Sequence, residues 1–459
     1  MKKEYPLTAA QNMHYQWIKS YGTQQVSGLS IVAAFQTRID TELLKTSINE
    51  ERKRYKCLRL QFTKPDKKKE IRQYISGYRK IDFPEKDLRS MSLPEADAVM
   101  QEWAYRTFDG NDIPMCEFFI VHLPEDYNGF FVHMDHRLCD SVGVAVMVND
   151  ILEIYEHLKY GSDMPEIRAD FEKVLEQDII KESGQKRLER AKKFWDGQLD
   201  LYGEPLYSDI QGNGVLEKSR KKHRNASLRA ADIEKKRLQV RVADYFLEAD
   251  SSRRVMDFCR DNMISPTNLF LLVIRTYLSM VCDGQEDITI ENFISRRSTR
   301  DELFSGGSRT LCYPCRSVIS SDTGYLDAAR KIQDIQNRIY MYGSYDPEFI
   351  RDEMKKRYHT PADTSYVSCY LTYQPPFPAT NALFRIPSHI KWFANGAATK
   401  KMYLTISHVP NGELNFSYHY QEASLTEKDM EVLYYFMMRI LFRGIEDPNR
   451  TLGEIIDMV

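Results

Sequence analysis

Long apolar runs are missing from this chain. No stretch reaches the ~18 consecutive apolar residues that a membrane span requires. The most apolar tracts, around residues 269–281 and 432–442, are broken by Arg275 and Arg439. Charge of one sign is missing too: 64 Lys and Arg stand against 66 Asp and Glu, a formal net charge of -2. That balance argues against a dedicated nucleic-acid binder, whose phosphate contacts need a basic surplus. The opening Met1-Lys-Lys-Glu-Tyr-Pro has charge but no apolar core behind it, so no secretory leader is read there. With a mean hydropathy of -0.51, the expectation is a soluble cytoplasmic protein. Also absent are a Gly-x-Ser-x-Gly elbow, a Gly-x-x-x-x-Gly-Lys phosphate loop and a dinucleotide fingerprint.

Cysteine is present but unorganised. The eight residues are scattered, which reads as reduced thiols rather than a disulfide frame. The close pair Cys312-Tyr-Pro-Cys315 has no second pair or spaced histidines to complete a zinc site. It precedes the strand-like Arg316-Ser-Val-Ile-Ser rather than opening a helix, so a structural role is expected over a redox one. No metal and no cofactor is implied.

What the chain does have is length and apolar content. Its 459 residues are 42% hydrophobic and 12% aromatic, enough for a well-filled interior in two or three domains. Strands are expected over 30–36, 57–62, 116–122 and 129–135, and helices over 41–54 (with Asp40 as N-cap) and 96–106. Lys64-Pro-Asp-Lys-Lys-Lys69 marks an exposed turn. Residues 166–203 turn polar and helical, and 212–237 read as a basic mobile loop. A second mixed lobe follows, with helices over 251–262, 267–281, 325–340 and 426–443 and strands over 288–294 and 311–319. A hairpin joins 402–407 to 413–419. The class is α+β, with the second lobe loosely echoing the first. The organisation expected is an N-terminal lobe 1–165, a connector 166–205 and a C-terminal lobe 206–459.

The informative run is Gly129-Phe-Phe-Val-His-Met-Asp-His-Arg-Leu-Cys-Asp-Ser-Val-Gly143. Its first half is a strand that His136 ends. A short turn leads to Asp140, and a helix begins with Asp140 or Ser141 as cap. Val144, Met147, Val148, Ile151, Leu152 and Tyr155 give that helix one buried face. A histidine and an aspartate are thus held on a strand-to-helix turn, a place that suits a general base. The same two residues serve equally as an ordinary strand end and an ordinary helix cap. A metal reading of His133 with His136 is weak, because residues three apart on a strand point to opposite faces.

The run Asp135-His136-Arg-Leu-Cys-Asp140-Ser141 resembles the His-His-x-x-x-Asp-Gly signature of the condensation-domain family, in the chloramphenicol-acetyltransferase-like acyltransferase superfamily. Tyr5-Pro-Leu-Thr-Ala-Ala-Gln11 is similar to the family's opening Pro-Leu-Ser/Thr-x-x-Gln. Ile151-Leu-Glu-Ile-Tyr155 resembles the end of the helix after the signature, and Phe194-Trp195 with Leu199 the connector's Tyr-Trp-x-x-x-Leu. Residues 288–296 look like its strand ending in an arginine, and the 402–419 hairpin with the final helix like its C-terminus. The resemblance covers essentially the whole chain.

It implies two chloramphenicol-acetyltransferase-like lobes forming a V-shaped pseudodimer with a central tunnel. His136 falls on the histidine associated with catalysis. Asp140 falls on the aspartate that supports the site through a salt bridge to an arginine of the second lobe; Arg296 matches that arginine best, with Arg297 as the alternative. Two departures stand out: Asp135 replaces the first histidine, and Ser141 replaces the glycine, adding a hydroxymethyl group that narrows the channel or acts as a cap. The implied activity is acyl transfer from a carrier-protein or CoA thioester to an amine or alcohol. The product is an amide or ester, as in nonribosomal peptide, polyketide or lipid-like biosynthesis. The chain is expected to act as a stand-alone enzyme. A degenerate fold that binds a carrier protein or partner enzyme is the alternative. The basic tract Lys218–Arg224 and Lys355-Lys-Arg357 are read either as contacts for an acidic carrier or CoA phosphate, or as solvated faces.

Overall fold

The computed structural model describes residues 2–67, 70–376 and 381–459. The chain forms two compact units. The first comprises Met1–Gln185, Ser295–Thr310 and Phe377–Ala397; the second comprises Lys186–Ile294, Leu311–Pro376 and Ala398–Val459. The contiguous lobes expected from the sequence are corrected here, because two later stretches belong to the first unit and residues 166–205 divide near Gln185.

The first unit is built on a five-stranded sheet in the order Ser388–Phe393, Gly28–Gln36, Tyr127–Asp135, Cys116–His122, Glu85–Asp87. All neighbours are antiparallel except the last pair, which is parallel. Both faces are covered, so its central strands read as almost unbroken apolar runs. Ile31, Ala33, Phe35, Phe130, Val132 and Met134 share one core with the helices Thr41–Arg54 and Ser141–Tyr160. Val32, Ala34 and Phe131 pack on the other side with Ala96, Met100 and Ala104 of the helix Leu93–Ala104. The edge strand Ser388–Phe393 carries no strong signal of its own and is stabilised by pairing with Gly28–Gln36. The expected strand over 57–62 is corrected to a 3₁₀ turn at Lys56–Arg59 and a short strand, Leu60–Phe62. Residues 64–67 are exposed, as a turn requires; Lys68 and Lys69 of that expected turn lie outside the described residues.

The second unit carries a six-stranded mixed sheet, ordered Thr310–Val318, Asp287–Ser295, Cys369–Gln374, Met402–His408, Leu414–Gln421, Val240–Leu247. The hairpin alternates cleanly: Met402, Leu404 and Ile406 are buried, as are Leu414, Phe416 and Tyr418 on its partner strand. The helix Pro266–Val281, capped by Ser265, is buried at nearly every position. The mobile loop expected over 212–237 is corrected as well: Gly214–His223 is a helix, held by Leu216 packing against Tyr207 and Ala231. Lys222 and His223 reach Asp232, at 2.8 and 2.9 Å. Among the described residues no single helix is long and apolar enough to cross a membrane.

Candidate active site

From Phe130 to Asp140 every residue is buried except His136, which is half-buried with its Nδ1 shielded from solvent. The strand Tyr127–Asp135 runs through the middle of the five-stranded sheet and stops one residue short of it. The His136 backbone N–H donates to the Ser27 carbonyl (2.6 Å), so the neighbouring strand's lead-in holds the peptide after the regular pairing has ended. The imidazole lies face to face with that of His14, with ring centroids 4.3 Å apart and planes 22° apart.

Asp135, where the family signature has a histidine, is committed to structure. Its Oδ1 accepts from the Arg137 backbone N–H and Nε (both 2.8 Å), and its Oδ2 accepts from Arg137 Nη2 and Gln24 Nε2 (both 2.9 Å). Burial opposes ionisation, but the Arg137 charge and these hydrogen bonds outweigh it and hold the carboxyl below its usual range. The effect is to pin the backbone on both sides of His136. The Arg137 carbonyl in turn accepts from Gln11 Nε2 at 3.1 Å, and the Arg137 guanidinium lies 4.1 Å from the Phe62 ring centroid. Gln11 belongs to the helix Ala9–Tyr21 and closes a capping box with Thr8, so the opening motif is physically attached to the turn.

Asp140 is the N-cap of the helix Ser141–Tyr160, its Oδ1 accepting from the Gly143 N–H at 3.0 Å. Capping therefore does not fall to Ser141, which is the first helical residue and half-buried. The same Oδ1 lies 2.7 Å from Arg297 Nη2, and Oδ2 accepts from the Arg309 backbone N–H at 2.9 Å. The expected partner was Arg296. It instead pairs with Glu182 at 2.6 Å. The reason is the backbone: Arg296 still pairs with Arg309 in an extended segment, whose adjacent side chains point to opposite sides. The whole stretch Ser295–Thr310 belongs to the first unit, so this ion pair is internal to it.

Both members of the Asp140–Arg297 pair are only 2% exposed. Burial would raise the Asp140 carboxyl, but the Arg297 charge, its hydrogen bond and the two backbone donors keep it below the usual range. Arg297 is held protonated against its own burial by Asp140. Its Nη1 donates to the carbonyls of Glu302 and Leu303, and its Nη2 also reaches the carbonyl of Gly307. The first two carbonyls belong to the short helix Arg300–Phe304, and the third to the turn Ser305-Gly-Gly-Ser308 that follows it. Gly306 and Gly307 both take positive φ (74° and 79°), and a Cβ on Gly306 would lie 2.5 Å from Cys57 Sγ. Only glycine fits so close an approach.

The helix Phe171–Ser183 braces this segment with three charges: Asp178 to Arg309 (2.6 Å), Lys181 to Glu302 (2.5 Å) and Glu182 to Arg296. Glu182 also accepts the Ala9 N–H at 2.8 Å, linking the first helix to the same frame. No local pattern signals these partners, because each bond joins residues far apart in the chain.

His133 is separate from the site. Its Nδ1 meets Ser30 Oγ at 2.8 Å and its Nε2 meets the Arg106 carbonyl at 3.0 Å, so both ring nitrogens are used. Burial pushes it down to about 4, leaving a neutral core histidine. Cys312 and Cys315 lie buried within the strand Thr310–Val318, and burial raises both thiols, Cys315 to about 12. Of the basic tracts, Arg220, Lys222 and Arg357 are paired with the carboxylates of Glu217, Asp232 and Asp200.

The model of the family described as "Condensation domain" matches residues 1–457. Surfactin synthase subunit 1 of Bacillus subtilis (strain 168) is 25% identical over 345 residues, which is 73% of this chain but 9% of that protein's length. The starter condensation domain of rhizomide synthetase, solved in complex with C8-CoA, superposes with a TM-score of 0.79 at 16% identity, covering 98% of this chain and 97% of that one. VibH, a nonribosomal peptide synthetase condensation enzyme, does so with a TM-score of 0.73 at 15% identity, covering 97% and 98%. The mixed helix-and-sheet architecture is that of chloramphenicol-acetyltransferase-like proteins. The chain belongs to the condensation-domain family of acyltransferases.

Proposed function

We propose that this chain moves an acyl group from a carrier-protein or CoA thioester to an amine or alcohol acceptor, with His136 at the reacting centre. One observation carries the reading: in a run of otherwise buried residues, His136 at the strand-to-helix turn is only half-buried, while the backbone around it is tied down on both sides. The acceptor's lone pair attacks the thioester carbonyl carbon, the C–S bond breaks and the thiol departs. His136 takes or orients the proton that the acceptor gives up and returns it to the leaving thiolate. A base so placed supplies ~10²–10⁴-fold, and alignment of the two substrates supplies the rest, with effective molarities of up to ~10⁵–10⁸ M. Asp140 and Arg297 act as frame. The C8-CoA bound to the rhizomide synthetase domain makes medium-chain acyl-CoA the first donor to try.

The test is transfer measured by mass spectrometry from acyl-CoA and acyl-carrier donors of graded length to a panel of amines and alcohols. Turnover by the wild type and its loss by about 10²-fold or more in His136→Ala, with the fold intact, is the expected result. Carrier binding without turnover from any donor would overturn the reading in favour of a binding module, which Ser141 at the signature glycine makes the specific competitor.

A further inference from the structure

The histidine of the signature has a second histidine against its face. His14 is buried at 4% exposure in the helix Ala9–Tyr21 and stacks on the ring of His136. The helix that carries it is fixed to the turn that carries His136. Gln11, one turn before His14, donates to the carbonyl of Arg137, and its amide exchanges hydrogen bonds of 2.6 Å with Gln73. Trp17, one turn after, sets its edge against His14, with centroids 5.0 Å apart and planes at 76°. Residues 11, 14 and 17 recur at a spacing of three and so form one stripe on the helix. Two successive members of that stripe hold two successive residues of the turn: Gln11 holds the backbone of Arg137, and His14 the ring of His136.

We propose that His14 is a positioning residue for His136. Resting on the acyl-transfer reading, it deepens that reading at the same site. The stack does two things. It restricts rotation of the His136 ring about its Cβ–Cγ bond, so the imidazole faces the acceptor in one orientation. It also sets a charge rule: a neutral ring stabilises an imidazolium lying on its face, whereas two imidazoliums stacked at this distance repel. When His136 takes the acceptor's proton, a neutral His14 shares its face with the new cation. When His14 is itself protonated, His136 is a poorer base. Among the described residues, the carboxylates on the elements that carry or brace the turn are tied in ion pairs: Asp135 with Arg137, Asp140 with Arg297 and Glu182 with Arg296.

The experiment compares wild type, His14→Phe and His14→Leu in two measurements. Steady-state transfer from an acyl-CoA donor is followed against pH. Separately, the His136 ring is titrated by NMR in protein labelled at histidine, assigned with His136→Ala. His14→Leu, which removes the aromatic face, is expected to lower kcat about 10-fold at neutral pH with the donor KM unchanged. His14→Phe keeps a flat ring and is expected to restore most of that loss. It is also expected to convert a steep two-proton acid limb in kcat/KM to a one-proton limb, with the His136 midpoint moved upward by about one pH unit. Identical pH profiles and identical His136 midpoints in wild type and His14→Phe would overturn the proposal. Should the wild type transfer nothing, the acyl-transfer reading fails while the titration still decides whether the two rings are coupled. Should His14→Leu not fold, the comparison with His14→Phe decides alone.

Discussion

Arg297 Nη2 lies 2.7 Å from Asp140 Oδ1, and both side chains are sealed from solvent. Pairs of this kind are costly to halve, because removing one partner leaves the other charged and buried, at about 3–5 kcal/mol. Arg297→Gln is therefore expected to lower the unfolding free energy by that order. Arg296→Gln, whose pair with Glu182 keeps 15% and 14% exposure, is expected to cost less. Urea denaturation of the two variants side by side checks the ranking; equal costs would contradict it.

Gly143 offers a steric prediction. A Cβ there would stand 2.3 Å from Cys139 Sγ and 3.1 Å from Arg297 Nη2. Gly143→Ala is expected to force the turn and the guanidinium apart, at roughly 1–3 kcal/mol, and to lower transfer activity with it. Ser141→Gly, two positions earlier on a half-buried residue, is expected to leave stability within about 1 kcal/mol and to leave the donor more room, raising kcat/KM. Thermal melts and kinetics of the two variants read these effects separately.

Gln11→Leu removes the amide that joins the first helix to the Arg137 carbonyl and to Gln73. Leaving those buried groups without a partner costs about 1–3 kcal/mol. The expected readout is faster amide hydrogen exchange in residues 136–139, with exchange in the distant hairpin 402–421 unchanged.

Acid acts on this protein in two opposed ways. Asp140 and Asp135 are held below their usual range, so the folded state binds fewer protons there than the unfolded one. Their contribution is present above about pH 4 and lost as pH falls through the folded values. Asp150 is the reverse. Burial, more than any neighbour, raises it to about 6 despite Arg168 at 3.5 Å. Its neutral form favours the fold, so stability declines as pH rises from about 4 to about 6 and levels off above that. Asp150→Asn is expected to flatten that decline, seen as urea midpoints that no longer fall between pH 4.5 and 7.

Much of the first unit could be read from the chain. The strand before His136 and the helix after it announce themselves through alternation and 3-and-4 spacing, and Val144, Met147, Ile151 and Tyr155 are buried as that spacing requires. The helix Thr41–Arg54 and its Asp40 cap were legible for the same reason. The helix Gly214–His223 was not, because its lysines and arginines mask a narrow apolar contact at Leu216.

What the sequence determined by itself is local: which residues form strand, cap and helix at the turn, since period and capping chemistry act over a few positions. The choice of Arg297 over its neighbour for Asp140, the glycine turn packed beneath that arginine and the imidazole laid against His136 were decided only by tertiary structure. Each depends on which way a side chain faces after segments more than a hundred residues apart have packed, and no short-range pattern encodes that direction.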